Sequence, residues 1–166
     1  MTLNANMAEV HVARGNSQFT CMGMGSCVGL VALDPESNVA GIAHFMFPES
    51  LPYKPVDQPG KFVNTGMEHL ISEMENLGAS RDHINVAIFG GAQVLRPGRS
   101  LGAWAQIGER NVTSAKQHSE RLGLTVVAED TGGCQVRTVQ FYAESGQVRI
   151  RIVGQDEKIL CNLRVN

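Results

Sequence analysis

The fold is decided by two apolar runs, Val28-Gly29-Leu30-Val31-Ala32-Leu33 and Val39-Ala40-Gly41-Ile42-Ala43-His44-Phe45, and by the segment that joins them, Asp34-Pro35-Glu36-Ser37-Asn38. The residue types of the joining segment are typical of turns, and two apolar runs connected in this way predict a β-hairpin. If Leu33 pairs with Val39, Cys27 lies opposite Phe45, and a one-residue shift or bulge places it opposite His44. Directly opposed residues have Cβ atoms roughly 4.5–5.5 Å apart, so the hairpin can bring a thiol within reach of an imidazole.

Cys27 and His44 form the minimal pair for nucleophilic thiol catalysis. A cysteine beside an apolar strand is more often a small buried hydrophobe, and a single histidine at a strand end is more often a packed or surface residue. The glycines Gly23 and Gly25 favour the catalytic interpretation, because they allow a sharp turn and the close approach of a substrate. Such a turn at Ser26 can also direct the backbone N–H of Cys27 at a developing oxyanion.

Several sequence blocks resemble the CheD family, the chemoreceptor glutamine deamidases of bacterial chemotaxis. The family's nucleophile segment is similar to Cys21-Met22-Gly23-Met24-Gly25-Ser26-Cys27-Val28, and its histidine motif is similar to Ala43-His44-Phe45-Met46-Phe47-Pro48. The further blocks are Phe89-Gly90-Gly91-Ala92, Ile107-Gly108-Glu109-Arg110-Asn111, Glu129-Asp130-Thr131-Gly132-Gly133 and Arg137. Because they occur in the family's order from about Phe19 to about Arg151, the chain is identified as a member of this family.

The resemblance implies a function and a mechanism. It implies that Cys27 is the nucleophile, that His44 is the general base and acid, and that the backbone around Gly25 and Ser26 binds the oxyanion or the substrate. The implied enzyme is a protein-glutamine glutaminase that uses no metal and no cofactor. It converts glutamines of methyl-accepting chemotaxis receptors to glutamates through a thioester. A CheC-type phosphatase is a further partner that the resemblance implies.

One position departs from the family pattern. The family's third active-site residue is a threonine six positions before the nucleophile, where this chain has Cys21, and Thr20 comes one residue earlier. Neighbouring side chains of a strand point to opposite faces, so Thr20 can take this role only if a bulge shifts the register. Alternatively, Cys21 orients His44 as a weak donor or acceptor, or a backbone carbonyl alone orients it. A disulfide between Cys21 and Cys27 is disfavoured, because disulfides are uncommon in the cytosol.

Residues 1–166 are predicted to form a single CheD-like deamidase domain with a layered α/β sandwich fold, rich in antiparallel strands and with two main helices. Apolar residues at helical spacing predict the first helix over 63–77, and the second is predicted over 111–122 with Asn111 as a possible N-cap. The resemblance implies a fold similar to that of deamidating bacterial toxins. The proline-rich segment 47–60 is interpreted as a wall of the substrate groove or as a surface connection.

Composition excludes several other classes of function. The chain of 166 residues has a net charge of −2 and no basic excess, which argues against a nucleic-acid partner. No signal peptide or membrane-spanning run is evident, so we expect a cytoplasmic protein without membrane insertion. The cysteines Cys21, Cys27, Cys134 and Cys161 lack metal-ligand spacing, which argues against a zinc site. The basic loop 96–102 before Trp104 is interpreted as a solvated loop or as a contact for an acidic partner.

Two alternative functions stay open at this stage. The protein could act mainly as a binding partner and regulator of a CheC-type phosphatase, with weak or no catalysis. It could also be another thiol enzyme, a peptidase or a transglutaminase-like enzyme, although only the Cys27 and His44 pair supports this. Alkylation by iodoacetamide separates the first alternative from catalysis, because a binding module does not need a cysteine with a low pKa.

Overall fold

The structure is a computed structural model that describes residues 1–93 and 106–165, so the basic loop 96–102 and Trp104 lie outside the described residues. The described chain forms ten strands and two α-helices. The strands are β1 Thr2–Asn4, β2 Val10–Arg14, β3 Gln18–Met24, β4 Val28–Asp34, β5 Val39–Phe45, β6 Asn85–Gly90, β7 Thr125–Thr131, β8 Arg137–Tyr142, β9 Gln147–Ile152 and β10 Lys158–Asn162. The helices are α1 Val63–Asn76 and α2 Ile107–Arg121. Neither helix is long and apolar enough to cross a membrane.

The strands form two five-stranded sheets. The first sheet has the order β1-β3-β8-β9-β10, and the second has the order β2-β5-β4-β6-β7. Within the described chain, β1 pairs with β3 and β6 pairs with β7 in parallel, and the other neighbouring strands are antiparallel. The predicted α/β sandwich with mostly antiparallel strands and two main helices is therefore confirmed.

Two hydrophobic cores hold the layers together. One core lies between the sheets and includes Val31 and Leu33 of β4, and the other lies between the second sheet and the helices and includes Leu30 and Ala32. Because both faces of the second sheet are covered, β4 and β5 are buried along their whole length. A side chain on the inter-sheet face of the β4–β5 hairpin is therefore shielded from water.

The β4–β5 hairpin is confirmed, but the predicted register is wrong. Asp34 pairs with Val39, and Gly29 is the residue directly opposite His44. Each residue of β4 therefore pairs with a residue of β5 that lies at least one position later than predicted. As a result, Cys27 lies opposite neither of the two residues that the sequence analysis expected.

Asp34 is the reason for this shift. It ends β4 instead of opening the turn, and its carboxylate accepts hydrogen bonds from the backbone N–H groups of Glu36 and Ser37 at 2.9 and 3.3 Å. A third N–H, that of Ser80, donates to its other oxygen at 2.8 Å. Asn38 closes the turn with a φ of 59°, a left-handed conformation that asparagine tolerates better than most residues. The side chain of Asp34 therefore sets the length of the hairpin.

Helix α2 begins earlier than predicted. It starts at Ile107, and Asn111 is fully buried inside the helix instead of capping it. Gly108 in the first turn has no space for a Cβ, because such an atom would lie 2.6 Å from the carbonyl oxygens of both Gly91 and Ala92. This close contact places the start of α2 against the end of β6. The side chain of Asn111 is therefore available for contacts outside its helix.

We predict that Asp34→Ala lowers the free energy of unfolding by about 2–3 kcal/mol at pH 7, because three backbone N–H groups lose a charged acceptor. Burial alone would raise the pKa of Asp34, but the hydrogen bonds from Ser80, Ser37 and Glu36 hold it below its usual value. A carboxylate with a lowered pKa stabilises the fold above its unfolded pKa of about 4, and this stabilisation is lost as the pH falls through the folded value. Urea denaturation at pH 7 and at acid pH measures both effects.

The matched control is Asp156→Ala, which removes an exposed carboxylate from the turn before β10. Equal stability losses for the two variants at pH 7 would contradict the role given to Asp34.

Candidate active site

The turn before β4 has all three of its carbonyl groups held by the protein. Two of the donors are backbone N–H groups that directly follow β6, and the third is a side chain of α2. The bonds are Ala92 N–H to Gly25 O at 2.9 Å, Asn111 Nδ2–H to Ser26 O at 2.9 Å and Gly91 N–H to Cys27 O at 2.7 Å. Gly90, with a φ of 98°, allows this approach, because a side chain there would collide with the carbonyl of Cys27. We call residues 25–27 the nucleophile turn.

The backbone N–H groups of the nucleophile turn are in a different situation. Those of Ser26 and Cys27 donate to no backbone or side-chain acceptor of another residue in the described chain. Free backbone donors next to a thiol are the arrangement that stabilises a tetrahedral oxyanion.

His44 lies near the end of β5 and is only 4% exposed. Its Nδ1 is 3.2 Å from the carbonyl oxygen of Ala5. Because a carbonyl can only accept, this contact assigns the hydrogen to Nδ1 and leaves a lone pair on Nε2. The backbone of His44 donates to Glu9 O at 3.1 Å and accepts from Ala8 N–H at 2.9 Å. The segment between β1 and β2 therefore fixes both the position and the tautomer of the ring.

Cys21 makes a second contact with the same ring nitrogen. Its Sγ lies 3.4 Å from His44 Nδ1, and its S–H donates to Met24 Sδ at 3.1 Å. Since the thiol hydrogen is used elsewhere, the sulfur faces Nδ1–H as a weak acceptor. The structure thus combines two of the three alternatives for orienting His44, a backbone carbonyl and Cys21.

Thr20 is not brought to His44. Phe19 and Cys21 belong to the inter-sheet core and Thr20 does not, as expected for alternating faces of β3. The bulge of β3 lies after Cys21, between Cys21 and Met24, so it does not exchange the faces of these residues. No hydrogen bond joins Thr20 to His44 among the described residues.

Cys27 and His44 lie diagonally across the inter-sheet face of the hairpin, and no hydrogen bond joins their side chains among the described residues. Gly29 is directly opposite His44, Cys27 is two residues before it, and Cys27 packs partly against the inter-sheet core. Diagonal neighbours of this kind lie roughly 7–8 Å apart at the backbone, and their side chains can come closer. Gly29 puts no side chain between them, and the ring of Phe89 fills the space where its Cβ would be.

Burial favours the neutral form of both groups of this pair. Burial raises the pKa of the Cys27 thiol, and the thiol's own backbone N–H offsets this only in part. Burial lowers the pKa of His44, although the hydrogen bond to Ala5 and the charge of Glu9 act in the opposite direction. Burial also raises the pKa of Cys21 to about 12, with a further contribution from Cys27. Burial therefore favours a thiol and an imidazole over a thiolate–imidazolium ion pair.

Two further groups of the site were not found by sequence reasoning. Asn111 donates from Nδ2 to Ser26 O at 2.9 Å and to Met46 O at 3.1 Å, and so it ties the nucleophile turn to the segment after His44. The sequence analysis gave Asn111 as a possible helix N-cap and as part of a block that resembles the family, but not as a residue that contacts the nucleophile turn. The carbonyl of Ala5 is a backbone group, and for such a group the sequence carries no signal.

The four cysteines are free thiols. In the ranges 1–93 and 106–165, no three His, Cys, Asp or Glu side chains lie close enough together to hold a metal ion.

Comparisons with known proteins agree on one family. A family model described as CheD chemotactic sensory transduction matches residues 46–152. The chain is 38% identical, over 95% of its length and 97% of the relative's, to the probable chemoreceptor glutamine deamidase CheD of Caldanaerobacter subterraneus subsp. tengcongensis. It is 37% identical to the protein of the same name in Pyrococcus horikoshii, with 95% of this chain and 96% of the relative covered. It is 34% identical to the chemoreceptor glutamine deamidase CheD of Thermotoga maritima, with 92% and 93% covered.

The raised pKa of Cys27 has a consequence for alkylation. We predict that iodoacetamide modifies Cys27 more slowly at pH 7 than it modifies Cys134, the exposed cysteine, because burial shields the Cys27 thiol and raises its pKa. The rate at Cys27 should continue to rise with pH above the ordinary cysteine value of about 8.5. Peptide mass spectrometry after timed alkylation measures both thiols in one sample. Faster modification of Cys27 than of Cys134 at pH 7 would contradict the neutral-pair description.

Proposed function

The chain belongs to the CheD family, and we propose that it is a protein-glutamine glutaminase that deamidates glutamine side chains of methyl-accepting chemotaxis receptors to glutamate. The observation that carries this proposal is the tautomer of His44. Its Nδ1–H is directed at the carbonyl of Ala5, which leaves Nε2 able to take a proton from the thiol of Cys27. The names of the relatives, chemoreceptor glutamine deamidases, support the substrate class.

The first half of the reaction forms a thioester. The sulfur of Cys27 attacks the carboxamide carbon of the substrate glutamine while His44 Nε2 takes the thiol proton. The carboxamide oxygen becomes an oxyanion that accepts hydrogen bonds from the free N–H groups of Ser26 and Cys27. The imidazolium then gives its proton to the amide nitrogen, the C–N bond breaks, and ammonia leaves.

The second half of the reaction restores the thiol. A water molecule attacks the thioester carbon while His44 Nε2 accepts its proton, and the same N–H groups stabilise the second oxyanion. The C–S bond then breaks, and the sulfur of Cys27 regains the proton from the imidazolium. The product is a glutamate side chain. Because both halves begin from a neutral imidazole, the lowered pKa of His44 keeps the base available at neutral pH.

Cys21 and the carbonyl of Ala5 act in this scheme as positioning groups. They contact Nδ1, the nitrogen that does not exchange protons with the substrate. They also act as acceptors for the Nδ1–H of the imidazolium that forms in each half-reaction, and they stabilise it in this way. A sulfur acceptor at this position serves where the family resemblance implies a threonine hydroxyl.

The principal alternative function is that of a binding partner and regulator of a CheC-type phosphatase, with weak or no catalysis. The raised pKa of Cys27 is the observation that favours it, because a thiol that only binds needs no activation. In our proposal the activation comes from His44 when the substrate is bound. We also propose that a CheC-type phosphatase is a binding partner of the protein and that the protein is located in the cytoplasm. Residues 1–166 are proposed to act as a single deamidase domain.

We predict that Cys27→Ala reduces deamidation at least about a thousandfold, because the nucleophile is lost. His44→Ala should be nearly as severe. The assay is intact-mass analysis of a purified chemoreceptor cytoplasmic fragment, which gains about one dalton for each glutamine that is converted. Cys134→Ala, a change at an exposed thiol, is the control and should keep full activity. Deamidation by the Cys27→Ala protein would exclude the proposed mechanism.

The role of Cys21 is tested by two substitutions of nearly equal shape. We predict that Cys21→Thr keeps activity within about threefold, because its hydroxyl oxygen can accept from Nδ1–H of His44. Cys21→Val has a similar volume but no acceptor, and we expect it to lower kcat about tenfold with little change in KM. Steady-state deamidation kinetics measure both, and thermal denaturation controls for stability. Equal activity of the two variants would show that the orienting contact has no role in catalysis.

A further inference from the structure

A groove with apolar walls and two lysines opens beside the candidate active site. It has a volume of about 440 Å³, within the range of about 300–1,000 Å³ typical of ligand sites. Its walls include Phe47, Leu51, Phe62 and Ile107, and its cations include Lys54 and Lys61. We call it the lysine groove. It is formed largely by the proline-rich segment that the sequence analysis interpreted as a possible wall of the substrate groove.

One side chain, that of Asn111, connects the lysine groove to the nucleophile turn. Asn111 binds Ser26 O and Met46 O together, and Phe47, which directly follows Met46, lines the groove. The backbone N–H groups of Met46 and Phe47 both donate to Lys61 O, at 3.0 and 3.1 Å. We therefore expect a substrate that places a side chain in the active site to extend over this groove.

The two lysines are not neutralised by carboxylates, and Lys61 also packs over two aromatic rings. The ammonium of Lys61 lies 6.0 and 5.9 Å from the ring centroids of Phe47 and Phe62. Neither Lys54 nor Lys61 forms an ion pair with a carboxylate in the described part of the chain. Glu49, an acidic residue of the wall, instead receives the hydroxyl of Ser114 at 2.8 Å and contacts His118 Nε2 at 2.8 Å. Positive charge is thus concentrated here on a chain whose net charge is −2.

We infer that the lysine groove docks an acidic, amphipathic face of the receptor helix that carries the target glutamine. This inference rests on the proposed function, and it adds which part of the substrate is recognised and by which residues. Its apolar walls fit the apolar residues of such a helix, and Lys54 and Lys61 fit carboxylates beside them. Leu51 and Tyr53, which are 45% and 79% exposed on the same segment, extend the apolar surface.

Helix geometry explains why the recognised residues are not neighbours of the glutamine in sequence. A helix rises about 5.4 Å per turn, and residues three, four and seven positions apart lie on one face. When the target glutamine enters the active site, the groove meets side chains one and two turns away. Acidic residues at those positions increase the encounter rate and the affinity, and both effects weaken with salt.

The experiment uses the full-length protein and a receptor cytoplasmic fragment. We expect the double charge reversal Lys54→Glu/Lys61→Glu to raise KM for deamidation tenfold or more at about 0.02 M salt, with kcat changed less than about twofold. The increase should shrink at about 0.5 M salt. The matched control is Arg14→Glu/Arg121→Glu, which makes the same charge change at the far end of β2 and the far end of α2. It should leave KM nearly unchanged.

A charge exchange on the substrate provides the second arm. Acidic residues one and two turns from the target glutamine are replaced by lysine, and this fragment should be a poor substrate for the wild-type protein and a better one for Lys54→Glu/Lys61→Glu. An unchanged KM in the groove variant, or an equal increase in the control variant, would overturn the inference.

Binding of the receptor fragment to the Cys27→Ala protein is measured by fluorescence anisotropy. This measurement distinguishes a failure of the docking inference from a failure of the proposed function. Lysine-dependent binding without any deamidation by the wild-type protein would refute the proposed reaction and leave the docking surface standing. Absence of binding, or binding that is unaffected by Lys54→Glu/Lys61→Glu, would refute the docking surface even if deamidation occurs.

Discussion

The side chain of Asn111 donates hydrogen bonds to two separate segments, the nucleophile turn at Ser26 and the residue after β5 at Met46. Its own carbonyl oxygen has no hydrogen-bond partner among the described residues although it is buried, a state that costs about 1–3 kcal/mol. Removing the side-chain amide of Asn111 would also leave the partly buried carbonyls of Ser26 and Met46 without a hydrogen-bond donor. The start of α2 can support this contact because Gly108 lets the helix touch the chain at Gly91. The relation between Cys27 and His44 therefore depends on a helix that contributes no reacting group.

Burial gives the site its chemical character. A neutral thiol and a neutral imidazole between two sheets avoid the large cost of holding charges in an apolar core, so burial favours the uncharged forms. In the proposed reaction the charges would develop together during attack, as an imidazolium and an oxyanion in largely buried surroundings. In such surroundings the fixed N–H groups of the nucleophile turn act more strongly than they would in water. The carbonyl of Ala5 serves the imidazolium in the same way.

The sequence predicted the layered fold and the central hairpin, because periodic apolar runs carry that information, whereas the pairing of Cys27 with His44 in catalysis stays a prediction. It did not predict the register of the hairpin, which depends on hydrogen bonds from three backbone groups to Asp34. It also placed Asn111 at the start of α2. The helix begins earlier because Gly108 packs against the chain that follows β6, and such a tertiary contact cannot be inferred from the local sequence. A backbone carbonyl was one of the alternatives for orienting His44, but the sequence could not indicate that it is the carbonyl of Ala5, because every residue has such a group. Most of what was missed consists of contacts between a side chain and a backbone group.

The contacts that complete the site join parts of the chain that are far apart in sequence. Ala5 and His44 are separated by 39 positions, Met46 and Asn111 by 65, and Ser26 and Asn111 by 85. Loops of this length are closed late and slowly during folding, because the entropy of the chain must be lost before the contact forms. The hairpin, by contrast, is local and can form early. A newly made chain would then carry its cysteine and histidine on one hairpin well before either is oriented, and catalytic competence would appear only with the last tertiary contacts.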